Sequence, residues 1–204
     1  MRGREMKTLK VIIEYTEPLL GTASANAELH SDFIASKAPD APSRDEEIAA
    51  FGADEIIEKS MTVFARTENG VPATWDYQWK GYFKEACSML RRADGTKSKN
   101  LKAFKKEIDG LVFVSPRMIP LEIPDGGEIG NMQRPLRAQT AQGERVALAN
   151  SETVPAGTRQ TFEVTVLRDD LEPLVLEWLE YGRLHGTGQW RNAGYGRFTF
   201  SVEV

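Results

Sequence analysis

At 204 residues, 41% of them hydrophobic and 27% charged, the chain is long enough to bury a full core and reads as a globular protein. A net charge of −4 argues against binding nucleic acid by bulk electrostatics and leaves room only for a local basic groove. No apolar run approaches the ~20 residues of a membrane span, and the charged start has no apolar core behind it, so a cytoplasmic address without a membrane partner is expected. The single cysteine, Cys87, excludes an internal disulfide, and one cysteine with two histidines leaves no ligand set for structural zinc.

Residues 7–15 alternate, with Leu9, Val11, Ile13 and Tyr15 on one face, which predicts a central strand. From about 18 to 60 the chain is rich in small and polar residues and reads as a loop or helical excursion. Within it, 46–59 have helical spacing. A strand is expected over 61–66, with a turn at Glu68, Asn69 and Gly70. The spacing of Trp79, Tyr82, Phe83, Ala86, Cys87 and Leu90 predicts a helix over 77–92 with Asp76 as its N-cap. Its apolar side would bury Cys87 as a structural thiol.

A strand over 111–114 precedes a Pro- and Gly-rich insertion at about 116–157. In that insertion 133–156, with Arg134, Arg137 and Arg145, reads as a projecting basic hairpin. Phe162, Val164 and Val166 mark another strand. Leu171, Leu174, Val175, Trp178 and Leu179 predict a helix over 170–181, stopped by Gly182. Trp79 and Trp178 sit in these apolar stripes as core residues. Strands alternating with helices indicate an α+β domain, ferredoxin-like or RRM-like, built on a split βαββαβ unit. That order is expected to set the first and last strands near the sheet centre.

The chain's most informative stretch lies between the second helix and the final strand. Gly182, Gly186, Gly188, Gly194 and Gly196 alternate there with Arg183, His185, Trp190, Arg191, Tyr195 and Arg197. Such a loop exposes amide N–H groups beside cationic and stacking side chains, which suits a phosphate chain. A plain glycine-rich turn is the structural alternative. A nucleotide P-loop, a Gly-x-Ser-x-Gly elbow, a His-Glu-x-x-His helix and paired Cys-x-x-Cys sites are all missing from the sequence.

Four stretches in order carry a family resemblance. They are Val11 through Glu17-Pro-Leu-Leu-Gly-Thr22; Gly70-Val-Pro72 through Lys80-Gly81 to Arg91; Glu152 with the Pro155–Gly157 corner and Phe162; and the glycine-rich loop ending Gly194-Tyr-Gly-Arg-Phe198. Together they resemble the RAMP superfamily, whose RRM-like proteins build and process CRISPR ribonucleoproteins, and within it the backbone subunits that line a guide RNA. At Trp75-Asp-Tyr-Gln78 the sequence departs from the small Pro-Gly-Ser-Ser type of run expected at that point.

The resemblance implies one RAMP-like domain over 1–204, with the excursion and the hairpin as additions. It also implies a subunit that clamps single-stranded guide RNA, associates with itself along that RNA and meets other subunits of a ribonucleoprotein, with no cofactor. The RNA-contacting residues would be Lys80, Arg134, Arg137, His185, Gly186, Gly188, Trp190, Arg191, Gly194, Tyr195, Gly196 and Arg197. Phosphates would meet the amides and arginines, and bases would stack on Trp190 or Tyr195. Two alternatives stay open. In the first, the chain is an endoribonuclease of the same superfamily, with His30 as general acid–base or Asp32 acting with a metal ion. In the second, it is a phage assembly protein that uses the same sheet for protein contacts only.

Overall fold

In the computed structural model, residues 6–24, 61–140 and 143–203 are described, with the backbone alone for 24, 136–140 and 143–148. The chain divides into two compact units. The first comprises Met1–Leu19, Ala65–Glu128 and Val154–Val204, and the second Leu20–Phe64 and Ile129–Thr153.

The first unit holds a four-stranded antiparallel sheet of β1 (Lys7–Tyr15), β7 (Val112–Ser115), β11 (Arg159–Val166) and β12 (Phe198–Glu203), ordered β12-β1-β11-β7. Helix α1 (Asp76–Leu90) follows β1 in the chain, α2 (Phe104–Leu111) leads into β7, and α3 (Glu172–His185) joins β11 to β12. With α1 and α3 as its crossovers this is the split βαββαβ order, an α+β, ferredoxin-like arrangement. That order puts the first and third strands of the unit inside. β1 is therefore central as expected, whereas among the described residues β12 pairs with β1 alone and forms an edge.

Strand alternation explains the core. Leu9, Val11, Ile13 and Tyr15 point to one face with Phe162, Val164, Val166, Val112 and Phe198, and all are buried. The helices cover that face. Trp79 packs tilted against Phe162 with ring centroids 4.5 Å apart and meets Phe198 edge-on at 5.6 Å, while Phe83 lies 5.7 Å from Trp178. Cys87 is fully buried on α1, and burial pushes its thiol pKa up despite nearby Ser98 and Arg91.

Two helix ends differ from the sequence reading. Asp76 is the first residue of α1, not its cap. The extended Trp75 precedes it, and the Trp75 N–H donates to Gln78 Oε1 at 2.8 Å. Helix α3 runs through Gly182 to His185. A Cβ at Gly182 would lie 2.1 Å from the Phe198 ring, so this glycine lets the helix press on β12 rather than ending it. Helix α2 and the short 3-10 turn Lys97–Asn100 fall between the expected helix over 77–92 and the expected strand over 111–114, where the sequence analysis placed no element. Strands β5 (Ala65–Arg66), β6 (Pro72–Trp75) and β8 (Met118–Pro120) form a small three-stranded sheet, and Gly70 turns the β5–β6 hairpin at φ 78°.

In the second unit β9 (Gly130–Thr140) and β10 (Gly143–Val154) form a long antiparallel hairpin in register from Gly143↔Thr140 to Thr153↔Gly130. β2 (Leu19–Leu20), β3 (Ala23–Ser24) and β4 (Thr62–Val63) complete its sheet. Glu152 ties the unit together. Its Oε2 accepts the Phe64 N–H and its carbonyl the Gly21 N–H, both at 2.9 Å.

Candidate nucleic-acid interface

Two surfaces of the first unit are open to test: the sheet face away from the helices, and the loop between α3 and β12. The open face carries Thr8, Lys10, Ile12 and Glu14 of β1, Arg159, Thr161, Glu163 and Thr165 of β11, and Thr199, Ser201 and Glu203 of β12. Its charges are largely neutralised in place, Lys10 by Glu203 at 2.7 Å and Arg159 by Glu14 at 2.6 Å. Among the described residues the one aromatic side chain on it is Phe113 on the edge strand β7, and Lys80 Nζ lies 5.0 Å over that ring. A face of this kind lacks the central aromatic rings on which an RRM sheet stacks bases.

The loop is built differently. Gly186 ends α3 at φ 79° and donates its N–H to Gly182 O. The two limbs of the loop then cross. The Thr187 N–H donates to Gly196 O at 2.9 Å, and the Gly196 N–H to Pro18 O at 2.9 Å. A Cβ on Gly186 would lie 2.4 Å from Tyr195 O, and one on Gly196 2.1 Å from Thr187 O. Both positions have positive φ, so only glycine meets both demands. At the tip, Arg191–Ala193 makes one 3-10 turn, and the Gly194 N–H closes back on Arg191 O at 2.8 Å. The amides of Gly186, Gly194 and Gly196 are thus committed within the protein. These glycines serve close backbone packing.

What the loop displays is side chains. Trp190 has a left-handed backbone, φ 53°, is 42% exposed, and lies parallel to Tyr195 with ring centroids 5.1 Å apart and planes 8° from coplanar. A large non-glycine residue in that region is strained, and strain of this kind concentrates at functional sites. Arg197 is exposed and makes no ion pair among the described residues. Its guanidinium lies 3.7 Å from where a Gly194 side chain would begin.

Three anchors hold the loop. Arg191 Nη1 donates to Glu85 Oε2, and Glu85 Oε1 lies 3.1 Å from His185 Nε2. Partial burial raises the Glu85 pKa, but the bonds from Arg191 and His185 outweigh it and hold the carboxyl below its ordinary range. His185 also stacks on Tyr181 at 5.0 Å. Beneath the loop, Thr187 Oγ1 donates to Tyr15 Oη at 3.4 Å, and Tyr15 Oη donates to Gln160 Oε1 at 3.0 Å. Gln160 Nε2 donates onward to Thr74 Oγ1 at 2.8 Å and to Ile119 O at 3.0 Å. Burial lifts the Tyr15 phenol above its usual range, opposed only in part by Thr187, so it stays neutral and bridging.

Of the residues singled out from sequence, Gly186, Gly188, Trp190, Arg191, Gly194, Tyr195, Gly196 and Arg197 fall in this one loop, with His185 at its root. Lys80 lies on α1, where its Nζ donates to Asp109 O at 3.0 Å. Arg134 is buried in the second unit, and Arg137 stands opposite Val146 in the hairpin. His30 and Asp32 lie outside the described residues. Sequence reasoning missed Glu85, whose partners sit about a hundred residues away in the chain. Among the described residues no group of three or more His, Cys, Asp and Glu could hold a metal ion. Nor is any helix there long and apolar enough to cross a membrane.

No protein-family description matches the sequence, and no curated protein matches it. Its fold is similar to that of a chain in the Type III-B Cmr-beta bound to cognate target RNA, with a TM-score of 0.54 at 13% identity over 98% of this chain and 60% of that one. The present chain therefore spans less than two thirds of the length of the subunit it resembles. A chain of a Type IV-B CRISPR Complex matches with a TM-score of 0.44 at 14% identity, over 97% of this chain and 91% of that one. At 13% identity the likeness to the first of these is one of fold.

Proposed function

We propose that this protein is an RNA-binding subunit of a CRISPR-type ribonucleoprotein and that it holds single-stranded guide RNA on the loop between α3 and β12. The observation that carries this reading is the pairing of a parallel Trp190–Tyr195 stack with the exposed Arg197, which makes no ion pair among the described residues. A π-face for a base beside a cation for its phosphate is the minimum kit for binding a single strand without reading its sequence. The fold's likeness to a chain of an RNA-bound assembly supports the same reading. In this proposal the chain acts as one domain, and its long hairpin covers the RNA or a neighbouring copy. Arg134 is 8% exposed, which leaves Arg137 and Arg145 as the hairpin cations for that role.

The test is fluorescence anisotropy with a 5′-labelled single-stranded RNA across a salt series. Wild type should bind, and Trp190→Ala should weaken binding by about 1–3 kcal/mol, the worth of one stacked base. Arg197→Ala should weaken it and flatten the dependence of log K on log salt by about 0.7, the loss of one phosphate contact. A wild-type protein that fails to bind RNA, or two variants that bind as wild type does, overturns the proposal.

A further inference from the structure

A second aromatic–arginine cluster lies where α1 begins, away from the glycine-rich loop in sequence. Trp75 and Tyr77 flank Asp76, and their rings are 15° from coplanar with centroids 6.1 Å apart. The Arg117 guanidinium sits 5.8 Å over the Trp75 ring. Tyr77 is 50% exposed, and Arg117 is exposed with no ion pair among the described residues. Three planar groups thus share one surface patch, two of them facing solvent.

The local backbone decides what this patch can bind. A helix N-terminus ordinarily attracts anions through its free amides and its dipole. Here the Tyr77 N–H is taken by Asp76 Oδ1 at 2.7 Å and the Trp75 N–H by Gln78 Oε1 at 2.8 Å. Asp76 also adds a negative charge in the first turn. A phosphate would meet a carboxylate and spent donors. A flat, electron-poor ring system meets aromatic faces with a guanidinium alongside, which is a stacking site.

The patch and the loop belong to the same compact unit. Thr74, the residue before Trp75, is the last link of the chain of hydrogen bonds that runs from Thr187 at the loop's base through Tyr15 and Gln160.

From this geometry we infer that Trp75, Tyr77 and Arg117 form a second station, which stacks an unpaired nucleobase of the same RNA strand. The inference rests on the proposed RNA-binding function and adds a site that takes the base and not the phosphate. It accounts for a ring pair, with Tyr77 exposed, at a helix start where a small polar residue would cap more simply.

The test compares wild type, Tyr77→Ala, Tyr77→Phe and Arg117→Ala by anisotropy, using a labelled oligo(A) RNA and the same RNA with abasic nucleotides. Circular dichroism verifies that each variant is folded, as expected for surface positions. Tyr77→Ala should raise Kd at least about fivefold on oligo(A) with an unchanged salt slope, and Tyr77→Phe should keep wild-type affinity because the ring, not the hydroxyl, does the stacking. Arg117→Ala should also weaken binding to oligo(A). On abasic RNA the Tyr77→Ala effect should vanish. If wild type binds no RNA, this inference falls together with the proposed function. If Trp190→Ala and Arg197→Ala weaken binding while Tyr77→Ala stays within about twofold of wild type, or if its effect persists on abasic RNA, the second station alone is overturned.

Discussion

Replacing Gly196 by alanine attacks the point where the loop limbs cross. The substituted Cβ would lie 2.1 Å from Thr187 O, and backbone cannot swing aside as a flexible side-chain tip would. The left-handed φ of 70° costs a non-glycine residue about 1–2 kcal/mol by itself. Relieving the clash separates the limbs and breaks two bonds, Thr187 N–H to Gly196 O and Gly196 N–H to Pro18 O, each worth about 1 kcal/mol net. The expected destabilisation is therefore about 3–4 kcal/mol. Gly95→Ala supplies the control. Its φ is 82°, yet nothing lies within 4 Å of an added Cβ, so only the conformational cost of about 1–2 kcal/mol applies. Urea unfolding followed by tryptophan fluorescence compares the two variants. If Gly196→Ala falls within about 0.5 kcal/mol of Gly95→Ala, the crossing is not what holds the loop, and the structural role given to its glycines is wrong.

Two further predictions concern carboxylates. Glu85 has a folded-state pKa below its ordinary value, so its contribution is complete above that ordinary value and is lost as pH falls through the folded one. Hydrogen exchange of 186–197, corrected for intrinsic rates, should show protection falling on acidification below about pH 4.5. A Glu85→Gln variant should lack that step, and a step that persists in it excludes Glu85 as the cause. Glu177 accepts the Lys97 N–H at 2.7 Å through one oxygen, and the Ser98 N–H at 2.9 Å and Ser98 Oγ–H at 2.6 Å through the other. Glu177→Gln sets an NH2 group against donors and should cost about 1–3 kcal/mol in urea unfolding, and an unchanged midpoint would refute this anchoring role.

The stripe of Trp79, Tyr82, Phe83, Ala86 and Cys87 was legible because a helix packed on a sheet must repeat its apolar residues every three or four positions, and all five are buried. Helix α2 was not legible. Its Phe104, Ile108 and Leu111 do recur at helical spacing, but eight residues with Gly110 among them give too short a run to stand out beside the long helices. The two-residue strands of the second unit are too short to show any period. The edge position of β12 follows from the βαββαβ order itself, which sets the first and third strands inside, so the expectation of a central last strand misread that order. For the loop, the sequence placed Trp190, Tyr195 and Arg197 together, but it could not separate the two uses of glycine. A missing side chain can expose an amide to a ligand or let two backbones touch, and Gly182, Gly186 and Gly196 do the second.

That distinction changes where binding energy would come from. Open amides at a mobile turn would have to be ordered around a phosphate, and each residue fixed would cost about 1–2 kcal/mol of backbone entropy. In this protein the crossing at Gly186 and Gly196, the Glu85 clasp and the Tyr15–Gln160 network fix the loop beforehand. Trp190 is held in a backbone conformation that a free chain would seldom adopt. A base stacking on Trp190 and Tyr195 would meet groups already in place, so little of the contact energy would go into ordering the protein. The open face of the sheet, with its charges paired across neighbouring strands, offers no comparable surface. Preorganisation of side chains, not exposure of amides, is the physical reason the proposed binding element is the loop and not the sheet face.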